Sequence, residues 1–263
     1  MKKALLKDTF KEIKKTYKRF ISILLMAFLG VGFFAGIRAT SPDMVDTIDK
    51  YFKDQNVYDI QVLSTLGLKD SDIEALKKIE NVEEVYGTYS QDAEINIENT
   101  QIVSKVLCLE EVNKPVLIEG NMPENIDECA VEEDFLKLTN KQIGDTIEIQ
   151  IENTTNDAGE EKEYLKQKTV KIVGTVRSPL YISSERGSSN LGAGKINAYI
   201  YISKGNINVP EIYTEIYIKV KDSNNLTTST AKYEDLIESV SNDIESIKAE
   251  RENARYTELV DNA

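Results

Sequence analysis

FISILLMAFLGVGFFAGI, residues Phe20 to Ile37, runs eighteen residues without a charge. At about 1.5 Å per residue a helix of this stretch spans roughly 27 Å, the thickness of a bilayer's hydrocarbon core. A helix also satisfies every backbone polar group within the segment, which lipid demands. The rival reading is a secretory signal, whose apolar region is shorter and ends at a small-x-small cleavage site. Here the run is long and passes into Ile37-Arg38-Ala39, so a retained anchor over residues 20–38 is preferred.

Working outward towards the N-terminus, residues 1–19 hold eight basic side chains and two acids, a net of +6, against -13 for the whole chain. The remaining residues therefore carry -19. By the positive-inside rule the basic flank stays in the cytoplasm and everything after about residue 38 lies outside it. Leu6, Phe10, Ile13, Tyr17 and Phe20 recur at spacings of four, three, four and three among the lysines. That pattern predicts a basic amphipathic helix on the inner leaflet, with Leu6, Phe10, Ile13 and Tyr17 as a face for the lipid bilayer or a cytoplasmic partner. Within the span, Gly32 and Gly36 form a GxxxG pair where a second membrane helix can pack closely.

The acidic balance argues against nucleic acid as a partner. Histidine is absent, which removes imidazole metal sites and His-dependent triads. Cys108 and Cys129, 21 positions apart, do not form a CxxC motif. Whether they are bonded stays open, buried small hydrophobes being the commoner case. GSSNLGAGK at Gly187–Lys195 has Ser189 and Ile196 where a phosphate-binding GxxxxGK[ST] loop needs Gly and Ser or Thr, so nucleotide binding there is rejected and a loop expected. No catalytic constellation, metal site or cofactor emerges.

Beyond the span, a short linker at Ser41-Pro42 is expected, then helical spacing at Met44, Val45, Ile48 and Phe52, a stalk over residues 39–56. Tyr58–Leu63 alternates as a strand, and Ser71–Glu74 reads as a capping box opening a helix with Ile73, Leu76 and Ile79 inward. Val82–Ile97 returns as strand to complete a βαβ unit. Further strands are predicted at Ile102–Leu109, Val116–Ile118, Ile147–Ile151, Val170–Val176, Ile196–Ile202 and Thr214–Val220, with a helix at Glu132–Leu138. The polar stretch Ile151–Lys168 reads as an exposed hairpin extension. From Ala231 a long helix carries Tyr233, Leu236, Ile237, Val240, Ile244 and Ile247, with Arg251 and Ala254 continuing a weak heptad, so residues 231–263 are expected to begin a coiled-coil stalk of a longer protein. The ending βα repeats the earlier βα, which predicts two βα halves sharing one sheet in a core domain over residues 57–230.

VLIEGNMPENIDECAVEEDFLK at Val116–Lys137, IGDTIEIQI at Ile143–Ile151 and VKIVGTVRSPLYI at Val170–Ile182 together resemble the FtsX-like permeases of ABC transporters, which carry a MacB-like periplasmic core domain after their first membrane helix. The resemblance covers almost the whole chain. Gly120, Pro123, Asp127 and Glu128 within it read as turn chemistry that identifies the fold rather than a site. It implies an α+β class: one transmembrane helix, then a mixed sheet with βαβ and βα units. It also implies a separate cytoplasmic ABC ATPase as partner, a homodimer or heterodimer of permeases, and no ATPase motif of the chain's own. The competing expectation is a single-pass receptor or ligand-binding ectodomain, and an extracytoplasmic enzyme ranks third.

Overall fold

The computed structural model describes residues 2–97, 100–155, 160–183 and 185–261, with side chains described from residue 8 onward except residue 10. The chain divides into two units, residues 1–50 and 51–263. The chain opens with α1 (Lys2–Lys15) and α2 (Tyr17–Asp54), the last four residues of α2 belonging to the second unit. Thr16 separates them, its hydroxyl donating back to the Glu12 carbonyl at 2.8 Å. Of the predicted amphipathic face, Tyr17 opens α2 and Ile13 is half-buried on α1, while the side chains of Leu6 and Phe10 lie outside the described residues. The linker expected at Ser41-Pro42 is absent, and α2 continues through Pro42. Proline deletes one helical hydrogen bond, and the helical pattern on both flanks carries the helix across that gap.

Every side chain from Phe20 to Ile37 is exposed, Met26 and Phe33 at 73%. Such a continuous apolar surface is far larger than a water-facing surface sustains, and α2 is long and apolar enough to cross a membrane.

The second unit is α+β and has two lobes. The smaller is a three-stranded antiparallel sheet in the order β1-β12-β2, built from β1 (Ile60–Leu68), β12 (Tyr213–Val220) and β2 (Val82–Thr88). β1 and β2 are parallel to each other but separated by β12, so β1, α3 (Asp70–Leu76) and β2 form a split βαβ unit. The capping box sits two residues earlier than predicted: the Asp72 carboxylate accepts from the Lys69 N–H at 2.8 Å. Asp72 also adds negative charge to the first turn of α3, which the helix dipole favours.

The helix α5 (Ala231–Asp261) covers the same face as α3, its Ile244 and Ile247 packing with Ile60, Val62, Ile73, Ile216 and Ile218. The two βα halves do share a sheet, but that sheet is only this lobe. The apolar stripe read as a coiled-coil seam is occupied by the domain's own sheet, and Arg251, a predicted heptad position, pairs with Asp72 at 2.7 Å.

The larger lobe is a mixed seven-stranded sheet in the order β3-β4-β11-β6-β10-β5, with β7 also paired to β10. Its strands are β3 (Ser90–Ile97), β4 (Thr100–Cys108), β5 (Val116–Gly120), β6 (Glu128–Glu132), β7 (Thr146–Glu148), β10 (Thr169–Arg177) and β11 (Ala198–Ile202). The single strand expected over Val82–Ile97 is two, because Tyr89 is the point where the chain leaves one sheet for the other. The central strand AYIYI is buried on both faces, so alternation sends Ala198, Ile200 and Ile202 to one core with Phe135 of α4 (Glu133–Thr139), and Tyr199 and Tyr201 to the other with Val176 and Leu107. A small ladder of β8 (Thr154–Thr155) with β9 (Glu161–Lys162) confirms a hairpin within Ile151–Lys168. Directly after it, however, Tyr164 and Leu165 are buried in the core rather than exposed.

The residues that carried the family resemblance meet across β5 and β10. Gly120 lies opposite Gly174. A Cβ on Gly120 would run into the Val173 carbonyl, and its φ of +79° disfavours any side chain. Glu128 is more than a solvated turn residue: its carboxylate accepts from the Glu124 and Asn125 N–H groups at 2.9 and 3.0 Å, and these bonds hold its pKa below the ordinary 4.5. The Gly144-Asp145 turn is pinned likewise, Gly144 N donating to the Ile172 carbonyl and Ile172 N to that of Asp145.

Candidate functional site

The segment directly after α2, Gln55 to Asp59, lies within the second unit and bonds to both of its lobes. Gln55 and Asn56 accept, through their carbonyls, from the N–H groups of Lys114 and Asn113, and the Asn56 side chain donates to the Glu111 carbonyl at 2.9 Å. Asn113 Oδ1 accepts from Tyr58 N at 3.1 Å. These bonds hold the chain to the loop following β4, in the larger lobe. One residue further, the attachment passes to the smaller lobe.

There, Asp59 and Lys219, both only 5% exposed at their side chains, form an ion pair at 3.0 Å. Lys219 Nζ also donates to the Val57 carbonyl at 2.8 Å. The Asp59 carboxylate further accepts from Val220 N, the Ser223 hydroxyl and the Tyr233 hydroxyl, at 2.8, 2.9 and 2.9 Å. A buried carboxylate needs this degree of satisfaction. Tyr58 stacks on Tyr217 of β12 with centroids 4.7 Å apart. One side chain thus ties the segment after α2 to β12 and to the first turn of α5.

The lobes are joined where β2 becomes β3 and where the chain returns to β12. Ser90 N donates to the Thr214 hydroxyl at 2.7 Å, and the Tyr89 hydroxyl donates to the Pro210 carbonyl at 2.6 Å. Lys204 closes the joint, pairing with Glu110 at 2.6 Å, donating to the Gly87 carbonyl at 3.0 Å, and lying 5.6 and 5.5 Å from the ring centroids of Tyr89 and Tyr213. Burial raises the Glu110 pKa, and the Lys204 ammonium counteracts that rise.

Beside Asp59 a cleft of about 340 Å³ is lined by Phe52, Tyr58, Leu180, Ile182 and Tyr233. Its composition is mainly apolar, and the carboxylate at its edge has its acceptors filled by the donors just named.

The thiols are chemically quiet. Burial pushes both Cys108 and Cys129 up to about 12, so they are protonated at neutral pH. Both are unbonded. Each lies opposite Ile202, on β4 and β6 respectively. A whole strand therefore stands between them, a separation of roughly 9.5 Å that exceeds the reach of a disulfide. Among the described residues there is no group of three or more potential metal ligands.

Of the residues singled out from sequence, Gly32 and Gly36 lie on exposed α2, where a Cβ added to either would meet nothing within 4 Å. Gly187–Lys195 forms a short hairpin loop, Ser189 N donating to the Gly194 carbonyl at 3.2 Å. The neighbouring Arg186, unnoticed in the sequence, is half-buried, pairs its guanidinium with Glu132 and lies 5.6 Å from the Tyr199 ring centroid. Asp59 was equally missed. A lone Asp before an alternating strand carries no sequence signal, since its partners are about 160 residues away.

No protein-family model matches the chain, and no curated protein matches it by sequence. Among solved structures it is similar to the extracellular domain of the ABC-type transporter YknZ from Gram-positive bacteria, at 11% identity and a TM-score of 0.37, over 67% of this chain and 80% of that one. It is also similar to the periplasmic region of MacB from Actinobacillus actinomycetemcomitans, at 15% identity and a TM-score of 0.37, over 73% and 85% of the respective chains. A likeness at this level transfers no residue role.

Proposed function

We propose that this chain is a permease subunit of an ABC transporter of the FtsX/MacB-like kind, anchored by α2 with its N-terminus in the cytoplasm and its α+β domain outside. In this reading a partner ATPase hydrolyses ATP in the cytoplasm, and movement of α1 and α2 is relayed to the domain to export or handle a substrate. The carrying observation is the junction after α2, where Gln55 and Asn56 are bonded to one lobe and Val57 and Asp59 to the other. A mere tether needs one attachment; a transmitting element benefits from holding both bodies it moves. The resemblance carried by Val116–Ile182 supports the same reading, as do the basic flank and the unpartnered GxxxG strip at Gly32 and Gly36, which fits packing against further helices of a permease dimer.

The test is affinity purification of the full chain from its native membrane in mild detergent. Co-purification of an ABC ATPase, whose ATP turnover changes on removing the chain, is the expected result. Recovery of the chain without any ATPase, together with saturable binding of a small molecule in the 340 Å³ cleft, would instead establish the receptor reading.

A further inference from the structure

The loop over residues 109–114 is where the larger lobe grips the segment following α2. It supplies the Glu111 carbonyl and the Asn113 and Lys114 amides to Gln55 and Asn56, and Asn113 Oδ1 to Tyr58. Leu109 N, donating to the Ile202 carbonyl at 3.0 Å, fixes the start of the loop on β11. Its middle is held by Glu110, whose side chain is 15% exposed and whose Oε1 lies 2.6 Å from Lys204 Nζ. Among the described residues that buried oxygen accepts no other hydrogen bond. Lys204 comes from the turn after β11, and its remaining contacts cross the joint: the Gly87 carbonyl of β2 at 3.0 Å and the rings of Tyr89 and Tyr213. One ion pair is thus shared by the grip on the segment after α2 and the closure between the lobes.

That pair depends on charge. With Glu110 neutral, Lys204 keeps only a carbonyl and two ring contacts, while water stays open to a side chain that is 42% exposed. Burial raises the Glu110 pKa, so the pair is complete above the raised value and is lost as pH falls through it. Tyr89 at the β2–β3 crossing, Tyr213 and Tyr217 of β12, Tyr201 of β11 and the Cys108 thiol at the end of β4 also face this region. Burial shifts all five upward, so they stay protonated throughout. The two neighbouring carboxylates have partners of their own. Asp70, at the start of α3, accepts from the Tyr213 hydroxyl at 2.9 Å, and Glu111 pairs with Lys114 at 2.6 Å on the exposed side of the loop.

We propose that Glu110 and Lys204 form an acid-sensitive latch: ionised Glu110 holds the 109–114 loop and the two lobes in one arrangement, and its protonation releases Lys204 to solvent so that the lobes part about the Thr88–Ser90 and Pro210–Thr214 crossings. Acidification outside the cytoplasm then loosens the grip on the segment after α2. The proposal stands apart from the transporter reading, since it requires no partner.

The test is the distance between the lobes, measured by double electron–electron resonance on the full chain in detergent micelles. Spin labels are placed at Lys78→Cys on the smaller lobe and Leu138→Cys on the larger, both exposed positions, while the native thiols are buried. Expected is a single distance at about pH 7.5 and a second, longer one that grows in as pH falls to about 4.5. Glu110→Gln, which copies the protonated carboxyl, should show the longer distance already at about pH 7.5 and change no further on acidification. Lys204→Met, which keeps the stem against the two rings and loses the charge, should do the same. An unchanged distribution across this range in the labelled chain with Glu110 and Lys204 intact overturns the proposal, whatever the variants do. So does a pH response that persists in Glu110→Gln, which would assign the titration to another group.

Discussion

Asp59 accepts from a lysine, two hydroxyls and a backbone amide drawn from β12, the turn after it and α5. Asp59→Asn leaves the Lys219 ammonium buried without its counter-charge, and should cost about 3–5 kcal/mol in denaturant unfolding. Replacing both partners by apolar residues of similar size should recover much of that loss, which distinguishes a buried-charge penalty from simple loss of packing. A single-variant effect below about 1 kcal/mol would show that the pair is solvated in solution. The thiols give a second prediction. Cys108 and Cys129 should resist a water-soluble maleimide at pH 8 and both react after denaturation without reductant, because they are reduced and held protonated by burial. Glu128 supplies the pH dependence. Its folded pKa lies below the ordinary 4.5, so its contribution to stability is present above about pH 4.5 and is lost as pH falls through the folded value. Glu128→Gln should therefore weaken the stability gain seen between acid and neutral pH, measured by thermal unfolding across that range.

β12 decides the smaller lobe. Its Ile216 and Ile218 are fully buried between β1 and β2, strands that come from more than 120 residues earlier. Ile218→Ala should destabilise the domain by about 2–5 kcal/mol, read from chemical denaturation. At this scale the sequence was most and least informative. Apolar runs located most of the strands, though not β6, and helical spacing located α3, α4 and α5, since those patterns are imposed locally by burial. Which strands paired was not legible. Val82–Ile97 is one unbroken strand by pattern, yet it changes sheets at Tyr89, because pairing partners are chosen by tertiary contacts absent from the local pattern. The same cause hid the site: Asp59, Lys219 and Tyr233 become a cluster only when β12 inserts beside β1. α5 misled for a related reason, since a stripe that buries against a sheet and one that buries against another helix share their spacing up to Ile247. Gly120 read as turn chemistry in the sequence, and the β5–β10 register adds a close backbone approach to Gly174 that the local pattern did not announce.

At the scale of the molecule, the larger lobe is an insertion between β2 and β12, strands that lie side by side. Its two connections are joined by the bond from Ser90 N to Thr214. A fragment of residues 88–214 should therefore fold by itself, giving strand-rich circular dichroism and a cooperative transition; an unfolded fragment would mean that the lobe needs the Asn56–Asn113 contact to stand. Nearby entry and exit points have a further consequence, for descent rather than for mechanics. A module whose ends are neighbours can be lengthened, trimmed or exchanged in one genetic event while β1, β12, β2 and both flanking helices keep their course. The inserted lobe can thus diversify rapidly while the frame that receives it stays unchanged.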